Sequence, residues 1–168
     1  MNQSRKKRFT YTVFGVYLFF LAWLILFKFY SPPDVLFRSR EINLIPFNIS
    51  EEVRLSVQLK EILYNVFVFV PLGIYLSMAF EKLSFLKKVL FAFLLSFAFE
   101  IVQFILGLGI SDVTDLITNT LGAVLGMGIY RIFLLLFKEK TDKIVNVIGL
   151  IAEACFGVLF LLLTLANL

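Results

Sequence analysis

The feature that most constrains this chain is a series of apolar runs, each about as long as a membrane is thick. Residues 9–27 contain no charged side chain, and a helix needs about 20 consecutive apolar residues to cross a hydrocarbon core of roughly 30 Å. Hydrophobic residues make up 60% of the chain and charged residues only 17%. A soluble domain of this size needs more charge on its surface, so the sequence predicts a membrane protein.

The apolar runs predict an all-α fold, a single membrane domain over residues 1–168 that forms a five-transmembrane-helix bundle with a partly structured outer loop. A basic cluster precedes the first run, as in a signal peptide, but the run is too long and lacks a cleavage site, so we interpret it as a retained anchor. Residues 107–111 are too short for anything but a tight hairpin, which predicts antiparallel third and fourth helices. The helices are expected at about residues 9–30, 62–80, 89–106, 112–137 and 144–166.

The distribution of basic residues predicts the orientation, because Lys and Arg accumulate in cytosolic segments. With the amino terminus in the cytosol, the larger basic set lies inside and the smaller set lies in the outer loop, residues 31–60. The inner set is Arg5, Lys6, Lys7, Arg8, Lys82, Lys87, Lys88, Arg131, Lys138, Lys140 and Lys143. The outer set is Arg38, Arg40, Arg54 and Lys60. We therefore expect a multi-pass protein of the cell membrane, and the net charge of +4 does not indicate nucleic-acid binding.

Residues 50–60, at the end of the outer loop, show two conflicting patterns. Ser50 followed by Glu51 and Glu52 is typical of a helix start, whereas residues 53–60 alternate between apolar and polar as a strand does. A lone strand would have no partner in this loop. We therefore favour a short interfacial helix.

Polar residues inside the predicted helices are the candidates for function, because such groups are expensive in a membrane. With one Cys and no His, the sequence excludes an intramolecular disulfide, a Cys/His zinc site and a His-activated nucleophile. Helix three carries Glu100 and Gln103, and helix four begins with Asp112, Asp115 and Asn119. Folding the hairpin is expected to place Glu100 level with Asn119, roughly 9 Å below the outer end, and Gln103 level with Asp115, roughly 5 Å below it.

Simpler structural roles compete with these functional ones. Ser111 and Asp112 are equally good candidates for helix caps, and Asn65 and Asn119 are typical of residues that join helices by hydrogen bonds. The glycines Gly122 and Gly126 form a small-xxx-small pattern, which predicts close helix packing. Glu100 is harder to explain by packing, so we favour a functional role for it.

These residues together resemble the VanZ family of small bacterial membrane proteins over about residues 40–130. The resemblance runs through the stretch 43–47 (Asn-Leu-Ile-Pro-Phe), Asn65 with the Pro-Leu-Gly of 71–73, Glu100-x-x-Gln103, and Asp112-x-x-Asp115-x-x-x-Asn119-x-x-Gly122-x-x-x-Gly126. The resemblance implies a cell-membrane protein of the kind linked to low-level teicoplanin resistance. The family often has an Arg in the hairpin ahead of the Asp pair. Residues 107–111 have none, so the carboxylates would be balanced by protonation, a metal or the ligand.

Two functions of different classes remain open from the sequence. The first is a binding protein that engages an amphipathic or lipid-linked ligand at the outer leaflet, with membrane lipids, a lipoglycopeptide or a lipid-linked cell-wall precursor as partner. The second is a membrane enzyme acting on a lipid headgroup or polyprenyl-linked substrate, with Glu100, Asp112 and Asp115 as general acid and base.

No cofactor or dedicated metal site is required, although hard oxygen ligands suit a divalent cation, and an oligomer is compatible with the sequence. The candidate ligand-binding residues are Asn43, Asn65, Glu100, Gln103, Asp112, Asp115 and Asn119.

Overall fold

The computed structural model describes residues 3–27, 39–47 and 55–166, and these are almost entirely helical. A short 3-10 turn, Lys138–Lys140, joins the last two helices. The helices are α1 Gln3–Phe27, α2 Leu55–Ala79, α3 Phe85–Leu106, α4 Val113–Phe137 and α5 Thr141–Ala166, and the strands are β1 Ser39–Asn43 and β2 Leu108–Asp112. The segment expected to form a separate interfacial helix is helical from Leu55, but it forms the first turns of α2. Residues 50–54 lie outside the described residues.

Four segments of the described chain are long and apolar enough to cross a membrane by length and composition. The predicted count of five is not matched, because the fourth segment, Val113–Leu162, is a 50-residue stretch that joins α4 to α5 through the 3-10 turn. The turn region contains neither Gly nor Pro, the residues that most strongly interrupt helical structure. The two helices therefore follow each other with only the short 3-10 turn between them, and the chain reverses direction at this turn, where Lys138 adopts a positive φ of 48°.

The tight hairpin predicted for residues 107–111 is wrong. Gly107 ends α3 in the left-handed conformation, with φ 61°, and the chain then continues as strand β2. Strand β2 pairs in parallel with β1, in a register that joins Ser39 to Leu108 and Asn43 to Asp112. An extended segment needs a partner for its backbone groups, and the loop after α1 supplies one. We call the end of the bundle that carries this pair the sheet end.

Helices α2 and α4 run in the same direction and pack closely through three glycines. A Cβ atom at Gly73, Gly122 or Gly126 would overlap a backbone carbonyl of the facing helix. The carbonyls belong to Ala123, Val66 and Val70 respectively. The prediction that Gly122 and Gly126 face protein is confirmed, and this packing positions the start of α4 against α2.

Helix α5 lies along α1 and runs in the same direction. Asn146 donates a hydrogen bond to Thr10 (Nδ2 to Oγ1, 2.9 Å), and farther along the two helices the rings of Trp23 and Phe160 meet with centroids 4.9 Å apart. At the start of α5, the Tyr130 hydroxyl donates to Asp142 (2.9 Å). These contacts hold α5 at the side of the bundle. We call the end of the bundle where α4 meets α5 the turn end.

Candidate functional site

Asp112 is the residue through which the elements of the sheet end are connected. It caps the amino terminus of α4, since its Oδ1 atom accepts a hydrogen bond from the Thr114 amide (2.7 Å). Its Oδ2 atom accepts a second hydrogen bond from Asn43 Nδ2 (3.1 Å) in β1. The cap predicted at this position is confirmed. The same carboxylate also joins the loop after α1 to the helix, because its two oxygens accept hydrogen bonds from different elements.

Glu100 fixes the position of Asp112 from the neighbouring helix. Its Oε2 atom accepts a hydrogen bond from the Asp112 amide (3.0 Å), and its main-chain oxygen accepts one from the Ser111 hydroxyl (3.0 Å). The Glu100 side chain is only 7% exposed. Two hydrogen bonds to Glu100 therefore join helix α3 to the end of β2. Ser111 donates one of them and so helps to hold β2 against α3.

A third helix joins the site through Asn65 of α2. Asn65 is 1% exposed and donates a hydrogen bond from Nδ2 to Asp115 Oδ1 (2.7 Å). A buried polar group needs such a partner, so this pair fixes α2 against α4 just below the sheet. We refer to Asn43, Asn65, Glu100, Asp112 and Asp115 as the acid–amide cluster.

An exposed apolar loop tip lies directly beside the cluster. Leu44 and Ile45 follow β1 and are 75% and 63% exposed, and the Ile45 amide donates to Asn43 Oδ1 (3.1 Å). Phe47, which has a φ of 54°, donates its amide hydrogen to Thr114 Oγ1 (3.0 Å). A positive φ is uncommon for a bulky residue, and this hydrogen bond holds the turn in place. Thr114 was not predicted from the sequence, because its hydroxyl accepts the Phe47 hydrogen bond only when the loop is folded against α4.

Comparison with known proteins identifies the family. The model of the VanZ/LLP1 family matches residues 14–136. The chain belongs to the VanZ/LLP1 family. It is also 36% identical over 140 residues to a protein of Enterococcus faecium described as Protein VanZ, a match that covers 82% of this chain and 83% of the relative. No solved structure matches. The VanZ/LLP1 match is wider than the 40–130 region that carried the resemblance, but it ends before α5 begins at Thr141.

Two of the predicted site residues of this VanZ/LLP1 chain, Gln103 and Asn119, form hydrogen bonds outside the acid–amide cluster. Gln103 donates from Nε2 to the main-chain oxygen of Ile25 (3.0 Å) in α1, and Asn119 donates from Nδ2 to Ser96 Oγ (2.9 Å) in α3. Their side-chain oxygens, Gln103 Oε1 and Asn119 Oδ1, are buried and have no hydrogen-bond partner among the described residues. The two side chains join helices, as the structural interpretation of Asn119 proposed.

The predicted alignment of depths between α3 and α4 is therefore wrong. Glu100 lies level with Asp112, and Asn119 lies level with Ser96. The reason is that β2 is five residues long and extended. At about 3.3 Å per residue, it carries the chain back along the last turns of α3 before α4 begins, whereas a tight hairpin would have reversed it at once.

The parallel register places Arg40 of β1 opposite Gly109 of β2, within the segment 107–111 that lacks the Arg often found in the family. Among the described residues, no group of three or more His, Cys, Asp or Glu side chains is arranged to hold a metal ion.

Proposed function

We propose that this VanZ/LLP1 protein contributes to resistance to teicoplanin-type lipoglycopeptides by engaging an amphipathic or lipid-linked ligand at the outer leaflet. The observation that carries the proposal is the direct junction of the acid–amide cluster with the exposed apolar loop tip at Leu44 and Ile45. An amphipathic ligand needs hydrogen-bonding groups for its polar part and an apolar surface for its acyl chain. Both are present side by side at the sheet end.

The cluster suits a ligand that carries hydrogen-bond donors. Asp112 and Asp115 are partly exposed, and carboxylates accept charge-assisted hydrogen bonds that are stronger than neutral ones. Glu100 and Asn65 are buried behind them and hold them in position. In this proposal the two aspartates contact the ligand, and the buried residues orient the aspartates.

The contribution of the loop can be tested with Asn43→Ala. This substitution removes the hydrogen bonds to Asp112 and to the Ile45 amide, so we expect the loop tip to separate from the cluster and resistance to fall to near that of cells without the protein. The measurement is the minimal inhibitory concentration of a lipoglycopeptide in a susceptible host, with membrane protein levels matched. A glycopeptide without an acyl chain serves as the ligand control.

The matched control is Glu41→Ala in the same strand. Glu41 is exposed and lies two residues from Asn43, so this variant is expected to keep full resistance. Full resistance in Asn43→Ala, or equal loss in both variants, would refute the role assigned to the loop.

The proposal also requires the sheet end to face the exterior, and cysteine labelling tests this orientation. In a Cys155→Ser background, Leu44→Cys is expected to react with an impermeant thiol reagent on intact cells, because Leu44 is highly exposed at the sheet end. Lys82→Cys, exposed in the turn between α2 and α3, is expected to react only after permeabilisation. The reverse pattern would place the cluster in the cytosol and rule out an outer-leaflet ligand.

The alternative function is a membrane enzyme acting on a lipid headgroup or polyprenyl-linked substrate. The observation that favours it is the contact between two acidic residues, since the Glu100 carboxylate accepts a hydrogen bond from the backbone amide of Asp112. Paired carboxyl groups can serve as general acid and base. Turnover of a lipid-linked precursor by the purified protein, with and without Mg²⁺, and its loss in Asp112→Asn would favour the enzyme over the binding protein.

A further inference from the structure

A second polar site lies at the turn end, at the opposite end of the bundle from the acid–amide cluster. A cavity of about 500 Å³ opens there between the end of α2, the start of α3, the end of α4 and the turn before α5. Its lining includes the basic residues Lys88, Arg131 and Lys138. None of the residues that carry the VanZ resemblance lines this cavity. The cavity therefore requires a separate explanation.

The basic residues line the cavity together with three acidic residues. Lys88 is only 9% exposed, yet among the described residues no ion pair joins Lys88, Arg131 or Lys138 to an acidic group. Lys88 and Arg131 thus bring two basic groups to one cavity, and an anion there would accept charge-assisted hydrogen bonds from both.

One of the three acidic residues of the cavity has another hydrogen-bond partner. Glu81, Glu139 and Asp142 also line it, but Asp142 accepts the hydrogen bond of the Tyr130 hydroxyl. Glu139 belongs to the exposed 3-10 turn. The lining carries three basic and three acidic residues, so its formal charges balance, and anion binding there would depend on Lys88 and Arg131 and not on a net positive cavity.

The rim of the cavity indicates where the anion comes from. Leu83, Phe85 and Leu134 line the cavity and are exposed, and Phe85 and Leu134 belong to segments that are long and apolar enough to cross a membrane. Basic pockets between membrane helices are suited to acidic lipid headgroups. We propose that this cavity binds the phosphate group of an anionic membrane lipid, with Lys88 and Arg131 as its ligands and the apolar rim against the acyl chains.

Native mass spectrometry of the purified full-length protein tests this assignment. The probes are phosphatidylglycerol, zwitterionic phosphatidylcholine and, as soluble sources of the same chemistry, inorganic phosphate and glycerol 3-phosphate. We expect preferential retention of phosphatidylglycerol and no displacement by the soluble phosphates. Lys88→Gln is expected to weaken retention about tenfold or more, because hydrogen bonds to charged groups contribute about 1.5–3 kcal/mol and 1.4 kcal/mol corresponds to tenfold.

Lys87→Gln is the matched control, since Lys87 is exposed in the same helical turn and does not line the cavity. Because Lys88 is buried, Arg131→Gln provides a second variant at an exposed position, and it is expected to show the same loss. Equal retention in Lys87→Gln and Arg131→Gln would overturn the site. Displacement of the lipid by glycerol 3-phosphate or inorganic phosphate would overturn the lipid as its source and identify a soluble phosphate ligand.

Discussion

Replacing Gly126 by Ala is expected to destabilise the protein by about 2 kcal/mol, within the range of roughly 1–3 kcal/mol typical of overpacking. The new methyl group would overlap the Val70 carbonyl oxygen. This atom belongs to the α2 backbone, which cannot rotate away as a flexible side chain would, so the α2–α4 interface has to open. Because α2 also carries Asn65 and α4 carries Asp115, opening this interface should disturb the acid–amide cluster as well. The measurement is the denaturation midpoint of the purified protein in detergent.

The control for Gly126→Ala lies two residues farther along the same helix. A Cβ atom at Gly128 would meet nothing within 4 Å, so Gly128→Ala is expected to be neutral or to stabilise the helix by up to about 1 kcal/mol. Both variants make the same chemical change, and only one meets the neighbouring helix. Equal stability of the two variants would show that α2 and α4 are not packed through their glycines.

Glu100→Gln is expected to keep the fold while abolishing resistance. The amide oxygen of glutamine can still accept the hydrogen bond from the Asp112 amide that Glu100 Oε2 accepts, so α3 remains joined to β2. The substitution removes the acid group and any charge it carries. A neutral amide accepts this hydrogen bond more weakly than a carboxylate does, so Asp112, which contacts the ligand in this proposal, is held less firmly and binding is expected to weaken about tenfold. Resistance and the amount of folded protein are measured on the same preparations.

Two further variants separate a functional role of Glu100 from a structural one. Glu100→Ala leaves the Asp112 amide without this acceptor and is expected to lose about 1–3 kcal/mol of stability. Glu153→Gln makes the same change at a half-buried acid of α5, remote from the cluster, and is expected to keep resistance. Full resistance in Glu100→Gln combined with lost stability in Glu100→Ala would make Glu100 a structural hydrogen-bonding group.

The local patterns of the sequence predicted much of the helical architecture. Uncharged apolar runs give helices of membrane-crossing length because a helix satisfies its own backbone hydrogen bonds. The observed helices overlap the predicted ranges, but α1 and α2 begin at Gln3 and Leu55, well before the predicted starts at residues 9 and 62. The spacing of Gly122 and Gly126 predicted a packed helix face, since residues four apart lie on one side of a helix. The Asp112 cap was also recognisable from its position before the helix.

The tertiary structure decided which polar residues meet. Asn43 and Asp112 are distant in the chain and come together only because β1 and β2 pair, a contact that no local periodicity encodes. The extended form of β2 moved the start of α4 along α3, and it thereby brought Asp112 to Glu100 and placed Asn119 beside Ser96. The sequence by itself determined the class of fold, the family and the candidate residues. Which of those residues join the acid–amide cluster and which join helices depended on long-range hydrogen bonding. An extended segment must find a partner for its backbone elsewhere in the chain.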